Sequence, residues 1–219
     1  MLQMEALPIR KYCDDPYVEY SGRWVDNWFS NLKAIGAPVS FRGFETNTLE
    51  FAYVAAKNPE MSHAIQGGRV LTFAEAVFQA ETAAEAKKMG LGVQSGRWKF
   101  TCLAAMDSFQ RQRWAPVPGN EVWVQKLLDE AQAGPIIEWN NWSDLRWGVC
   151  VERSRGRNAL GLLLSSIAQE IVETGELQQY PDEDTWPQRQ AELIEKLSSM
   201  FPESLSAKDL ARTSQASLF

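Results

Sequence analysis

Histidine is nearly absent from this chain of 219 residues, with His63 as its single example. This excludes a histidine-rich zinc site, and it excludes Ser-His-Asp or Cys-His catalytic machinery built elsewhere in the chain. Hydroxyl and thiol nucleophiles lack their usual base, so carboxylates and lysines become the main catalytic candidates. The three cysteines, Cys13, Cys102 and Cys150, show no metal-ligand spacing, and their odd number fits a reducing cytosol.

Long hydrophobic runs and an excess of positive charge are also missing. The first residues have no apolar core long enough for a signal peptide, and no run approaches the length of a membrane span. The 22 Lys and Arg residues against 28 Asp and Glu residues give a net charge of −6. That charge argues against wholesale coating of a nucleic-acid duplex. We therefore expect a cytoplasmic protein with no membrane partner, no metal and no cofactor.

The spacing of apolar residues predicts a mainly α-helical fold with a few short strands. Helices are predicted at residues 46–57, 71–89, 98–112, 120–131, 160–172 and 188–200, and short strands at residues 39–45 and 136–139. The continuous leucines of residues 160–172 are typical of a central buried helix. Composition divides the chain into a polar lead-in at residues 1–23, a folded domain at residues 24–177, and a polar, partly helical extension at residues 178–219.

The first candidate site lies on the helix predicted at residues 46–57. Glu50 and Lys57 are seven residues apart, nearly two helical turns, so they share a face with Tyr53 between them. A surface ion pair on an ordinary helix is one interpretation. The alanines and aromatics of the segment FAYVAAK favour burial instead. A lysine in an apolar pocket beside a carboxylate can serve as a nucleophile or as an electrostatic anchor.

The second candidate site is the tryptophan-rich segment that contains Glu138, Asp144, Trp147 and Gly148. In one interpretation, one carboxylate is a general base for water, the other orients it, and a tryptophan face supports a planar base. In the other interpretation, Asp144 stabilises a turn and the tryptophans pack in the core.

A third candidate site precedes the apolar helix at residues 160–172. Gly156 and Asn158 would leave the first backbone N–H groups of this helix free at the positive end of its dipole. With Arg157, this arrangement predicts a phosphate or pyrophosphate site. The alternative is an ordinary helix cap beside a solvated basic loop.

Taken in order, these pieces resemble the NADAR superfamily, also called YbiA-like, over about residues 24–172. The matching motifs are Phe29-Ser30-Asn31, Thr48-x-Glu50 with Lys57, Trp98 with Met106, Glu138, Asp144, Trp147-Gly148 and Gly156-x-Asn158-x-Leu160-Gly161. Three positions depart from the pattern. Phe51 and Val54 stand where the family often has His and Gln, and Cys102 stands where it often has a basic residue.

The resemblance implies a compact, mainly helical fold with small strands, and hydrolysis of N-glycosidic bonds on ribose phosphates. Some members resemble hydrolases of early riboflavin-pathway intermediates. Others resemble glycohydrolases that remove ADP-ribose from guanine bases in nucleic acid, often as the partner of a toxic ADP-ribosyltransferase. The implied ligand is therefore ADP-ribose or a ribose phosphate, either as a small molecule or linked to nucleic acid. A non-catalytic ADP-ribose binder and an interaction protein are the competing interpretations.

Carried onto this chain, the resemblance implies three catalytic residues. Glu50 would stabilise an oxocarbenium-like transition state and activate water. Lys57 would be its electrostatic partner or an amine that forms a Schiff base with the sugar. Asp144 would orient the ribose hydroxyls or the water. The expected substrate-binding residues are Asn31, Trp98, Glu138, Trp147, Gly148, Arg157 and Asn158.

Overall fold

The computed structural model describes residues 7–8, 18–20, 29–134, 136–140, 143–150, 152–153 and 155–200. Its described residues include both helices and strands, so the fold is mixed α/β rather than mainly helical as expected. The chain forms two compact units. The first unit comprises Met1–Phe29, Pro116–Leu177 and Ala191–Phe219, and the second comprises Ser30–Ala115 and Gln178–Gln190. Most of the predicted lead-in and residues 201–219 of the predicted extension lie outside the described residues.

The described strands are short, and several of the helices are no longer than two turns. The strands are β1 Leu7–Pro8, β2 Val18–Tyr20, β3 Ala34–Phe41, β4 Phe44–Thr48, β5 Ser62–Gln66, β6 Arg69–Thr72, β7 Ile136–Asn140, β8 Val149–Cys150 and β9 Arg155–Gly156. The α-helices are α1 Leu49–Ala55, α2 Phe73–Phe78, α3 Ala83–Met89, α4 Cys102–Arg113, α5 Glu121–Ala133, α6 Ala159–Thr174 and α7 Trp186–Met200. Within the described ranges, no helix combines the length and the apolar character needed to cross a bilayer.

The first unit is a small mixed sheet covered by helices. Its strand order is β1-β9-β8-β7-β2, with β7 parallel to β2 and β8, and β9 antiparallel to β8 and β1. Helix α6 packs on β7, and α5 packs on α6. Leu163, Leu164 and Ile167 of α6 are fully buried, as expected for a central helix. Gly175, in the left-handed conformation, ends α6.

The second unit is built around helix α4. Hairpin β3–β4 precedes helix α1 in the chain, and hairpin β5–β6 lies between α1 and α2. Helix α1 packs against α2, α3 and α4. Helix α4 is buried on almost every side, and its buried residues include the charged side chains Asp107, Arg111 and Arg113. A helix that buries charge in this way needs internal partners for each charged group.

The prediction of a single solvent-facing helix at residues 71–89 is wrong. The segment instead holds the end of strand β6 and then two short helices, α2 and α3. Thr72 and Thr82 divide it, because each side chain accepts a hydrogen bond from a backbone N–H three residues later and so begins a new helix. Glu75 completes the cap at Thr72 by accepting its backbone N–H.

Most other predicted elements are confirmed with shifted bounds. The predicted strands at residues 39–45 and 136–139 correspond to β3–β4 and β7, and the last three predicted helices correspond to α5, α6 and α7. The helix predicted at residues 46–57 is shorter, because α1 covers only Leu49–Ala55. The helix predicted at residues 98–112 begins with the separate 3-10 turn Trp98–Phe100.

Residues 178–190, which the sequence analysis sets apart as an extension, are packed into the second unit. Their anchor is Asp107 of α4, a carboxylate that is only 1% exposed. It accepts hydrogen bonds from Nε of Arg111 and Nε of Arg189, each at 2.9 Å. Both guanidinium groups lie over the Tyr180 ring, at 5.1 Å and 4.0 Å from its centroid. Ser108 Oγ adds a hydrogen bond to the Tyr180 carbonyl.

We expect Asp107→Asn to destabilise the protein strongly. The substitution removes the negative charge that both buried guanidinium groups contact, and breaking a buried ion pair typically costs about 3–5 kcal/mol. Urea denaturation measures the loss. The matched control is Asp184→Asn, because the Asp184 side chain is 88% exposed and its ion pair with Arg97 is long, at 3.3 Å. The control is expected to change the free energy of unfolding by less than about 1 kcal/mol, and equal effects of the two variants would contradict the anchoring role.

Candidate active site

Glu50 is a buried carboxylate in the first turn of α1, with only 8% of its surface exposed. Its backbone N–H donates to the Asn31 carbonyl at 3.1 Å, which ties the start of α1 to the predicted Phe-Ser-Asn segment. Among the described residues, no donor makes a hydrogen bond to the Glu50 carboxylate. Burial therefore raises the pKa of Glu50, and the charges of Lys87 and Lys57 oppose that rise only in part.

Lys57 follows the end of α1 and is half-buried. Its Nζ donates to the carbonyl oxygen of Gly90 at 3.0 Å, just beyond the end of α3. Burial lowers the pKa of the Lys57 amine, Lys87 lowers it further by charge repulsion, and Glu50 acts in the opposite direction. Burial thus moves the pKa of each partner of the predicted pair towards neutrality, which suits proton transfer near neutral pH.

Lys87 is a residue of this cluster that the sequence analysis missed. It lies in the last turn of α3, is exposed, and acts electrostatically on both Glu50 and Lys57. Its segment reads as a solvent-facing surface, where lysine is common, so its sequence carries no signal of a site. Only the packing of α3 against α1 brings this charge to the pair.

Asn31 and Trp98 both lie beside this cluster in the second unit, in different surroundings. The Asn31 side chain donates to Met106 Sδ at 3.6 Å and accepts from Gln110 Nε2 at 2.8 Å. Trp98 is 4% exposed, and its ring packs on Tyr53 of α1 with a centroid distance of 5.1 Å. Its burial does not support the expected role of Trp98 as a stacking surface and makes it part of the core. The substrate-binding role of Asn31 stays a prediction.

The three positions that depart from the family pattern make the surroundings of α1 apolar. Val54 and Cys102 are buried. Phe51 is half-buried and stacks on Phe78 at a centroid distance of 6.3 Å, and Phe78 stacks in turn on Phe44 at 4.8 Å. These side chains lower the local polarity around the helix that carries Glu50, and low polarity strengthens the interaction between charges.

The first unit brings together the other group of predicted residues, beginning with Asp144. Its Oδ1 accepts the backbone N–H groups of Arg146 and Trp147, each at 2.9 Å. Asn140 holds the same turn, because its side chain accepts from the Asp144 N–H and donates to the Asp144 carbonyl. Asp144 therefore has the turn-stabilising role that was the alternative in the sequence analysis. A catalytic role for its second oxygen stays a prediction.

The expectation of free N–H groups at the start of α6 is wrong. The backbone N–H groups of residues 157, 158, 159 and 160 donate to the carbonyls of residues 145, 148, 146 and 147, at distances of 3.0–3.3 Å. The loop that Asp144 stabilises thus satisfies the positive end of the helix. The N–H groups of residues 157–160 are therefore not available to a phosphate, and Arg157 stays the predicted residue for that contact.

Asn158 clamps the start of α6 to strand β7. It is fully buried in a left-handed conformation with φ of 53°. Its Oδ1 accepts from the Glu138 N–H at 2.9 Å, and its Nδ2 donates to the Ile136 carbonyl at 2.8 Å. These contacts give the Asn158 side chain a structural role, and the predicted contact with substrate stays untested.

Two glycines of the motif permit this close packing. A Cβ at Gly161 would overlap the Ile136 carbonyl oxygen, and a Cβ at Gly148 would overlap the Glu138 carbonyl oxygen. The helix and the loop can therefore reach the sheet only where a side chain is absent. Glu138 and Trp147 are half-buried beside these glycines, and their roles in binding stay predictions.

The two groups of predicted residues belong to different units. Asn31, Glu50 and Lys57 are together in the second unit, whereas Glu138, Asp144, Trp147 and Asn158 are together in the first. The sharing of one pocket by both groups stays a prediction. The described parts of the chain contain no group of three or more His, Cys, Asp or Glu residues placed to hold a metal ion.

An open groove in the first unit involves none of the predicted residues. It runs between helices α5 and α6 and ends at Met200 of α7, and its lining is a mixture of glutamines and small or apolar side chains. With no ionisable side chain in its lining, the groove offers no acid or base for hydrolysis.

Comparisons with known proteins support the fold. No protein-family model matches the chain, and no curated protein matches it. Among solved structures, the chain is similar to the NMR structure of the E. coli protein YbiA, a Northeast Structural Genomics target. The likeness covers 80% of this chain and 100% of that chain, with a TM-score of 0.51 and 18% sequence identity. Identity at this level shows a related fold and nothing about activity.

We expect Asn158→Gly to destabilise the protein by about 2–4 kcal/mol, because two buried backbone groups lose their side-chain partner. Asn158→Ala should lower the free energy of unfolding by about 1 kcal/mol more than Asn158→Gly. The left-handed backbone conformation is strained for alanine, whereas glycine adopts it freely. Urea denaturation of both variants separates the two costs. Unchanged stability with a selective loss of ligand affinity would contradict the structural role and return Asn158 to the binding site.

Proposed function

We propose that this protein is an N-glycosidase that hydrolyses the N-glycosidic bond of an ADP-ribosyl or ribose-phosphate substrate, as in the removal of ADP-ribose from guanine bases. Three lines support the proposal: the ordered motifs of the NADAR superfamily, the fold likeness to YbiA, and the geometry around Glu50. We propose that the enzyme acts in the cytoplasm. There it would remove the ADP-ribose that an ADP-ribosyltransferase attaches.

The proposal rests mainly on the environment of the Glu50 carboxylate. It is buried, no described donor bonds to its carboxylate, and a lysine with a lowered pKa lies within electrostatic reach. A largely buried carboxylate without a hydrogen-bond donor from the protein costs stability and is seldom kept for packing alone. A raised carboxyl pKa beside a lowered amine pKa is characteristic of catalytic groups.

In the proposed reaction, a water molecule replaces the base at C1′ of the ribose. The C1′–N bond breaks through an oxocarbenium-like transition state, and the negative charge of Glu50 stabilises the positive charge that develops on the sugar. Glu50 takes a proton from the attacking water, whose oxygen bonds to C1′. The proton then passes to the nitrogen of the departing base, so that the products are the free sugar and the neutral base.

Lys57 has one of two roles in this scheme. As a cation, it stabilises the ionised form of Glu50 across the site. As a neutral amine, it attacks C1′ itself and the base leaves with the amine proton. The sugar ring then opens to an imine, and water hydrolyses the imine to release the sugar and restore the amine. The lowered pKa of Lys57 favours the second role, because it increases the fraction of neutral amine.

Two substrates test the proposal directly. The purified protein is incubated with DNA that carries ADP-ribosyl-guanosine and, separately, with a ribosylamino-pyrimidine phosphate, and released sugar is read by mass spectrometry. Release from the first substrate supports the proposal, and release from only the second assigns the riboflavin-type activity. Release from neither, together with heat of ADP-ribose binding in calorimetry, would make the protein a binding module. The apolar departures at Phe51, Val54 and Cys102 favour that alternative.

Glu50→Gln is expected to lower kcat by at least about 100-fold, because it removes a general base and a charge that stabilises the transition state. Since burial raises the pKa of Glu50, the folded state disfavours the charged form. The variant should therefore keep or gain thermal stability above pH of about 4.3, and any gain should vanish below it. Glu45→Gln, an exposed position on β4, is the matched control. Full turnover by the Glu50 variant would show that the carboxylate has been misassigned.

Lys57→Met is expected to lower kcat by at least about 100-fold in either of its roles. Borohydride added during turnover distinguishes the roles, because it reduces an imine to a stable adduct that peptide mass spectrometry locates. An adduct on Lys57 assigns the amine attack. No adduct, with turnover retained by Lys57→Arg, assigns the electrostatic role. Unchanged turnover by Lys57→Met would exclude both roles.

A further inference from the structure

A short chain of hydrogen bonds leads from the end of helix α4 to the side chain of Asn31. The indole N–H of Trp114, directly after α4, donates to Oε1 of Gln110 at 2.8 Å. Nε2 of Gln110 donates in turn to Oδ1 of Asn31 at 2.8 Å. Trp114 and Gln110 are fully buried, so water does not compete for these contacts. The chain ends where Nδ2 of Asn31 donates to Met106 Sδ at 3.6 Å.

Hydrogen-bond chemistry allows this chain only one direction. An indole N–H can donate and never accept, so Gln110 turns its oxygen towards Trp114 and its NH2 group towards Asn31. Asn31 then turns its oxygen towards Gln110 and its NH2 group away from it. The sulfur of Met106 agrees with this direction, because a thioether can only accept. Reversal of either amide would set two donors against each other, and an unmade buried hydrogen bond costs about 1–3 kcal/mol.

The backbone of Asn31 is held as well as its side chain. Its carbonyl accepts the N–H of Glu50 at 3.1 Å, at the start of α1. The carbonyl of the preceding residue, Ser30, accepts from the Arg113 guanidinium at 3.1 Å. Since both parts of Asn31 are anchored, its amide keeps one orientation relative to the first turn of the helix that carries Glu50.

We propose that Gln110 is a positioning residue, which fixes the Asn31 side chain so that it offers N–H groups to the substrate rather than its oxygen. This inference rests on the proposed function, in which Asn31 binds substrate. The substrate atom at Asn31 is then a hydrogen-bond acceptor, such as a phosphate or ribose oxygen, and not an amino group of the base.

The NH2 group of Asn31 has capacity for such a contact. It carries two N–H groups, and the thioether of Met106 is a weak acceptor. In the part of the chain that the structure describes, no other acceptor contacts this NH2 group. Asn31 is half-buried, so its side chain is within reach of a ligand at the surface of the second unit.

Nuclear magnetic resonance tests the orientation without any ligand. In the wild type at about pH 6.5, the side-chain NH2 protons of Asn31 should show a nuclear Overhauser effect to the methyl group of Met106. Gln110→Met should weaken this effect and shift the indole proton of Trp114 upfield, because the acceptor of that proton is lost. The matched control is Gln112→Met on the same helix, which should change neither signal. Absence of the effect in the wild type would overturn the inference.

Calorimetry with ADP-ribose tests the consequence by reversing the polarity of the chain. Gln110→Glu keeps an acceptor for Trp114 but offers Asn31 only an acceptor, so the Asn31 amide turns its oxygen towards the ligand. At about pH 9, where a buried carboxyl is ionised despite its raised pKa, the affinity should fall at least about tenfold. The matched control is Gln112→Glu, which adds the same charge and keeps the acceptor for the Ser40 N–H. Its affinity should stay within about twofold of the wild type.

Asn31→Asp is the second variant, in case Gln110→Glu does not fold. It keeps the oxygen that accepts from Gln110 and replaces the NH2 group with a second oxygen, so the affinity for ADP-ribose should again fall at least about tenfold. Wild-type affinity in folded Gln110→Glu or in Asn31→Asp would overturn the inference. A wild-type protein that binds no ADP-ribose would contradict the proposed function instead, and the resonance of Asn31 would still decide its orientation.

Discussion

The second unit depends on the neutralisation of one buried carboxylate, that of Asp107. Two arginines neutralise it, one from its own helix and one from α7, and the Tyr180 ring covers both. Breaking a buried pair costs far more than an exposed pair ever contributes. The polar residues 178–190 are therefore held in the second unit by charge and aromatic contacts, although their sequence contains few apolar residues that would indicate a core.

Glu50 is a second buried carboxylate in the same unit, and its environment is the opposite of that of Asp107. Asp107 has two guanidinium partners at hydrogen-bond distance, whereas Glu50 has only the field of two lysines. Helix α1, which carries Glu50, packs on α4, which carries Asp107. A helix whose buried carboxylate is paired with two arginines thus packs on a helix whose buried carboxylate has no hydrogen-bond donor among the described residues. The proposed function explains this difference between Asp107 and Glu50. A catalytic group often destabilises the fold, and other residues must then stabilise it.

The sequence predicts the parts of this structure that depend on local pattern. Breakers and apolar spacing locate α5, α6 and α7. The prediction that Glu50 and Lys57 share one helix is wrong, because α1 ends at Ala55, before Lys57. The hairpin β5–β6 was missed because all five residues of β5 are exposed, which removes the alternation that marks a strand. Lys87 and the clamp of Asn158 were missed because tertiary packing alone determines their partners. A glycine-asparagine turn looks the same whether its N–H groups face a phosphate or a carbonyl.

The hydrogen bonds at the start of α6 also have a consequence for local motion. In most helices the first amide protons have no internal acceptor and exchange readily with water. Here the amide protons of residues 157–160 are donated to the loop of residues 145–148, so they exchange only when that loop separates from the helix. They therefore report on the opening of the segment that carries Asp144 and Trp147.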